Sequence, residues 1–85
     1  MFEKGRVVLS KSGRDKGYLL AVLQADGKTV LVCDGKERPI DRPKAKNIRH
    51  IEPTPFVLCE EDFTCDRHLR RALSGIKMKC NQEVF

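Results

Sequence analysis

Three short apolar runs, Val7-Val8-Leu9, Tyr18 to Leu23 and Thr29 to Cys33, are separated by polar stretches that each contain glycine. This punctuation leaves room for strands but not for long helices in the first half of the chain. Glycine reaches positive φ without steric cost and short polar residues favour turns, so Ser12-Gly13-Arg14-Asp15-Lys16-Gly17 reads as a loop between two strands. Asp26-Gly27 is a strong two-residue hairpin signal, and Asp34-Gly35 repeats it eight residues on, the rhythm of an all-β meander. Within the second strand Leu19, Ala21 and Leu23 point one way and Leu20 and Val22 the other. Apolar residues on both faces fit a small closed barrel whose outer surface is partly covered. Arg38-Pro39-Ile40 is a short strand at best, confined to an edge because proline cannot donate to a ladder. Ile48 to Ile51 completes a set of five. The expected architecture is therefore mainly β: a small five-stranded barrel, with a short C-terminal α-helix packed on it.

That helix belongs to the second part of the chain. Pro53-Thr54-Pro55 is a stiff break, dividing the barrel at residues 1–52 from a linker, helix and tail at 53–85 packed on the same domain. Phe56-Val57-Leu58 is an apolar segment that docks on the barrel. Glu60-Glu61-Asp62 places carboxylates near the positive end of a helix dipole, with Asp62 or Thr64 as cap. Cys65, Leu69, Ala72, Leu73 and Ile76 share one helical face, Arg67, Arg70 and Arg71 the opposite one, and Gly75 is the expected stop. Residues 77–85 carry too little pattern to assign.

Charge follows the same division. Residues 1–51 hold twelve Lys and Arg against six Asp and Glu, and residues 52–85 hold five against six. All of the net +5 therefore resides in the strand-patterned part, which points to a polyanionic partner without choosing between RNA, DNA and an anionic surface. Apolar content of 40% marks a folded chain. Eighty-five residues make one small domain, expected to be a monomer and too small for a deep active-site cavity. No apolar run approaches the roughly 20 residues of a membrane span. Met1-Phe2-Glu3-Lys4-Gly5-Arg6 lacks the apolar core of a secretion signal, so a cytoplasmic protein is expected.

The candidate binding residues are Lys11, Arg14 and Lys16 from the first loop and Arg38, Arg42, Lys44 and Lys46 from a later one. If both loops end on one rim, these cations form a phosphate-gripping edge, with Arg suited to bidentate contact. The plain alternative is a solubilising surface. Gly13 and Gly17 would set the loop's conformation, and Asp15 would hold its shape through an Arg or backbone contact. Aromatics are few: Tyr18 is expected to pack across strands, Phe56 and Phe63 to pack internally, and Phe2 is terminal. That shortage favours recognition of a folded nucleic acid by backbone and shape. Arg67, Arg70 and Arg71 form a smaller patch, either an exposed face paired with Asp66 and nearby acids or a second nucleic-acid contact. His50 and His68 have no evident base or metal partner. Cys33, Cys59, Cys65 and Cys80 admit two disulfides, a zinc site with His68, or reduced and mostly buried thiols. The missing close Cys pair and secretory context favour the thiols, so neither metal nor cofactor is expected. No phosphate-binding glycine loop precedes a helix and no catalytic triad is visible, so an enzyme is not expected.

Gly5-Arg6-Val7-Val8-Leu9-Ser10 followed by Ser12-Gly13-Arg14-Asp15-Lys16-Gly17-Tyr18 resembles the KOW motif of ribosomal proteins and transcription elongation factors. The motif's invariant glycine falls on Gly17, and Leu20 stands where many KOW sequences carry a second glycine. With Asp34-Gly35-Lys36, the loop is most similar to the KOW domain of archaeal and eukaryotic large-subunit ribosomal protein fourteen and of small stand-alone bacterial relatives. The resemblance covers roughly the first fifty residues. It implies an SH3-like barrel that binds ribosomal or other structured RNA, on or off the ribosome, without catalysis. Some KOW domains instead dock on proteins of transcription or translation. Here the helix and Phe56-Val57-Leu58 would form the partner groove.

Overall fold

The alternating runs become a meander. In the computed structural model, which describes residues 2–84 and the side chains of residues 2–77, β1 (Arg6–Ser10), β2 (Leu19–Asp26) and β3 (Thr29–Cys33) pair antiparallel in sequence order. β4 (Lys44–Asn47) joins β3, and β5 (Ile51–Val57) returns to pair with β1. The result is one antiparallel sheet in the order β4-β3-β2-β1-β5, followed by a single helix, α1 (Asp66–Val84). β4 and β5 are the edges of this sheet, which is open, and a single 3-10 turn at Ile48–His50 joins them.

β1, β2 and β3 are apolar on both faces because both of their faces are buried. On one side Val7, Ala21 and Cys33 meet Leu69, Leu73 and Ile76 of α1, with Phe56, Leu58 and Phe63 closing the margin. On the other, Val8, Leu20, Val22, Val30, Val32 and Ile51 pack against one another, with Phe2 and Ile48 at the rim. α1 contributes nothing to this second face, yet its valines and leucine are almost wholly removed from water. The sheet achieves this by curling over its own side chains, aided by register shifts in the β2–β3 and β1–β5 ladders.

The second half departs from the sequence-based expectations in several ways. Arg38-Pro39-Ile40 is not a strand; it lies in the connection between β3 and β4. The fourth strand is instead Lys44–Asn47, and Ile48–His50 turns rather than extends. Pro53 and Pro55 do not break the chain but sit inside β5, which runs across the expected boundary at residue 52. The rule that proline belongs on an edge strand holds, but at these prolines and not at Pro39. Thr54 between them ties the strand down, its hydroxyl donating to the Val7 carbonyl at 2.7 Å while its own carbonyl accepts from Arg6 at 3.0 Å. Glu60–Phe63 is a 3-10 turn, in which Asp62 accepts the Cys59 N–H at 3.1 Å. α1 begins afterwards and continues through Gly75, which is exposed and meets nothing a side chain would strike. Cys65 lies outside the apolar face and is exposed, as is Cys59; among the described thiols only Cys33 is buried as expected. The Cys80 side chain lies outside the described residues.

Gly35 is where the meander meets the helix. Its φ is 78°, and a Cβ there would collide with the Asp66 carbonyl oxygen and crowd the Arg70 N–H. Only glycine allows the turn to sit this close to the first turn of α1. Asp66 completes the junction by accepting the Ile40 N–H at 2.8 Å.

Candidate nucleic-acid interface

The loop between β1 and β2 is built around one buried carboxylate. Gly13 and Gly17 have φ of 86° and 89°, which lets the chain fold back so that Gly17 N–H reaches the Ser10 carbonyl at 2.9 Å. Tyr18 N–H then donates to the Asp15 carbonyl, also at 2.9 Å. These turns direct the Asp15 side chain inward. Its Oδ1 lies 2.8 Å from the Ser10 hydroxyl and 3.0 Å from Lys46 Nζ, and the same ammonium donates to the Ser12 carbonyl at 3.0 Å. Asp15 Oδ2 is buried with no hydrogen-bond partner.

Lys46 arrives there because of strand register. In the β3–β4 ladder it stands opposite Val30, and Lys44 opposite Val32, so both share the face of the curled core. Ala45, between them, faces outward and is exposed. The β4 pattern is thus inverted relative to hydrophobicity, since the inward position needs a cation to meet Asp15. Asp15 and Lys46 are each only 7% exposed. Burial alone works to raise the Asp15 carboxyl. Hydrogen bonds from Lys46 and Ser10, with the charges of Lys46 and Lys44, outweigh it and hold the carboxyl below its ordinary value.

This geometry corrects one candidate and supports the placement of others. Lys46 is not available to a phosphate: it is enclosed, paired and engaged in bracing the loop. Asp15 does hold the loop's shape, with a lysine as its partner rather than an arginine. Lys11, Arg14 and Lys16 stand exposed on the braced loop, and no ion pair neutralises them among the described residues. Lys44 is half-buried and near enough to act on the Asp15 carboxyl. Arg38 shares a cleft of about 260 Å³ with Arg14, so the two loops do meet. Arg42 is exposed on the turn after Pro39, and no hydrogen bond joins its side chain to the first loop among the described residues.

The turn forming the far wall of that cleft is equally well fastened. Asp34 Oδ1 accepts the backbone N–H groups of Lys36 and Arg38 at 2.9 and 2.8 Å. Tyr18 is not packed across strands: it precedes β2 and is 49% exposed, between this cleft and a second of about 270 Å³ that reaches Arg70 and Lys77 on α1. Arg70 therefore joins the same surface as Arg14, while Asp66 serves the Ile40 backbone rather than an arginine. The exposure of Tyr18 had a signal in the sequence: it directly follows the loop glycine, one position before the alternation begins.

Phe56 and Leu58 pack into the helix–sheet core and leave only Val57 exposed, so that segment is filled and offers no groove. Among the described residues no three His, Cys, Asp or Glu side chains gather as metal ligands. No helix of the described residues is long and apolar enough to cross a membrane. No protein-family model matches the chain, and no curated protein matches it.

Proposed function

We propose that this chain is a non-catalytic RNA-binding protein of the KOW type that grips the RNA backbone with the braced loop and its neighbours, most naturally a ribosomal RNA. The observation that carries this reading is the internal pairing of Asp15 with Lys46. It consumes the loop's one carboxylate and leaves Lys11, Arg14 and Lys16 as uncompensated cations on a fixed turn. A merely solubilising loop has no need of a buried ionic brace. Arg38 and Lys44, brought alongside, extend the positive edge. The resemblance to KOW sequences supplies the nucleic acid's identity as RNA. Five short antiparallel strands curled over one apolar cluster, with edges joined by a single 3-10 turn, support the finer reading of the sheet as an SH3-like barrel. Clefts this small and open suit a surface laid against a polymer better than one enclosing a substrate.

The test is salt dependence. Neutralising about four phosphates makes log K fall against log salt with a slope of roughly −3 to −4. The variant Arg14→Ala/Lys16→Ala/Lys44→Ala should flatten that slope by about two to three while its thermal melt stays cooperative. Unchanged affinity and slope for a folded ribosomal RNA fragment would refute the assignment.

A further inference from the structure

A surface that only grips phosphates has no use for a carboxylate at its centre, yet one is there. The two clefts share a wall made by Tyr18, Asp34 and Glu37. Asp34 is explained, since its Oδ1 holds the turn through two backbone N–H groups. Glu37 is not. It is exposed and makes no hydrogen bond or ion pair among the described residues, although Arg14 and Arg38 line the same cleft. Beside it stands Tyr18, the most exposed aromatic ring among the described residues.

We propose that this wall is a base-reading site, at which a single-stranded guanine stacks on Tyr18 and its Watson–Crick edge is read by the Glu37 carboxylate. The inference rests on the RNA-binding reading above and deepens it. An ionised carboxylate is acceptor-only, with two oxygens side by side. Guanine presents two adjacent donors on that edge, N1–H and the N2 amino group, and so satisfies both oxygens. Cytosine and adenine offer one amino donor next to a bare ring nitrogen, and uracil offers one N–H between two carbonyls. Each of these sets a lone pair against the second carboxylate oxygen. Stacking on an aromatic tolerates any base, so discrimination falls to Glu37. The flanking cations suit the strand's path: Arg14 and Arg38 lie in one cleft and Arg70 in the other, so a phosphate on either side of the read base meets an arginine.

The test uses labelled hexauridine and its variants carrying one central G, A or C, titrated by fluorescence anisotropy alongside a folded ribosomal RNA fragment. The G-containing oligomer should bind about tenfold more tightly than the other three. Glu37→Gln should abolish that preference while affinity for hexauridine holds or rises, because a negative charge has gone. A purely electrostatic role for Glu37 would instead shift all four oligomers equally. Tyr18→Ala should weaken every oligomer by about tenfold or more. Equal binding of all four oligomers by the unaltered protein, or a guanine preference that survives Glu37→Gln, overturns the inference. Binding of the folded fragment in that case leaves the backbone grip standing, whereas failure of every RNA to bind removes both.

Discussion

Lys46→Met is the most informative single change, because Lys46 is a binding residue by composition and a bracing residue by structure. Its side chain is 6% exposed and that of Asp15 9%, so removing the ammonium strands a carboxylate where water hardly reaches. Breaking a buried pair from one side costs about 3–5 kcal/mol, against about 0–1 kcal/mol for an exposed one. At about 4–8 °C per kcal/mol for a domain of this size, the midpoint should fall by roughly 12–40 °C. Thermal and urea melts measure this directly. Asp15→Asn/Lys46→Met, which removes both charges and keeps an acceptor for Ser10, should recover about 2 kcal/mol or more of the loss. The pH dependence supplies an independent sign. In the unaltered protein the folded pKa of Asp15 is depressed, so its contribution is complete above the unfolded carboxyl value. It disappears as pH falls through the folded pKa, in a window below about pH 4. In Lys46→Met the Ser10 hydrogen bond and the Lys44 charge still favour the carboxylate, but burial is the largest single influence on this group and should outweigh them, lifting the folded pKa above the unfolded one. That variant should regain stability as pH drops from neutrality towards 4, where the unaltered protein gains none from Asp15. A loss under about 1 kcal/mol, or the same pH slope in both proteins, would refute the brace.

Two further outcomes test the scaffold. Gly35→Ala adds a Cβ at positive φ that strikes the Asp66 carbonyl oxygen, and should destabilise by about 1–3 kcal/mol or more in urea melts, while Gly75→Ala should be neutral or stabilising. Burial first, then the charges of Asp34 and Asp66, push the Cys33 thiol up to about 11. Mass-mapped alkylation at pH 8 should therefore modify Cys59 and Cys65 within minutes and Cys33 only on unfolding; equal rates would show that the sheet–helix core opens readily.

What was legible in the sequence follows from which forces act locally. Val7 to Leu9, Leu19 to Leu23 and Val30 to Cys33 declare themselves as strands, because alternation and glycine turns are short-range properties. The Leu69, Leu73 and Ile76 stripe is legible for the same reason. β4 was hidden because Lys44-Ala45-Lys46 reverses the usual polarity, and only a distant carboxylate makes its inward lysine tolerable. β5 was hidden by Pro53 and Pro55, since whether a proline ends a strand depends on whether that strand lies at an edge. Helix continuation past Gly75 is a modest local penalty, overridden by the packing of α1 on the sheet. In the site, the exposed cations were legible by charge, but their division into free and bracing members was not. Separating Lys46 from Lys44 requires the register that sets each opposite a particular valine.

That division also explains how so small a domain presents several like charges together. Lys11, Arg14 and Lys16 repel one another on a connection of eight residues, and a flexible loop would relieve that repulsion by spreading. Binding would then have to restore the loop's order at an entropic cost of about 1–2 kcal/mol per residue. The Asp15 carboxylate removes this option by tying the loop to Lys46 on a strand of the sheet, and one hydroxyl and one backbone carbonyl complete the knot. Because the pair is internally neutral, it organises the loop without subtracting from the field outside. Lys46 therefore acts on the proposed RNA grip through geometry, and Arg14 acts through charge. The two contributions separate in a salt titration, where loss of a phosphate contact changes the slope and loss of order changes only the intercept.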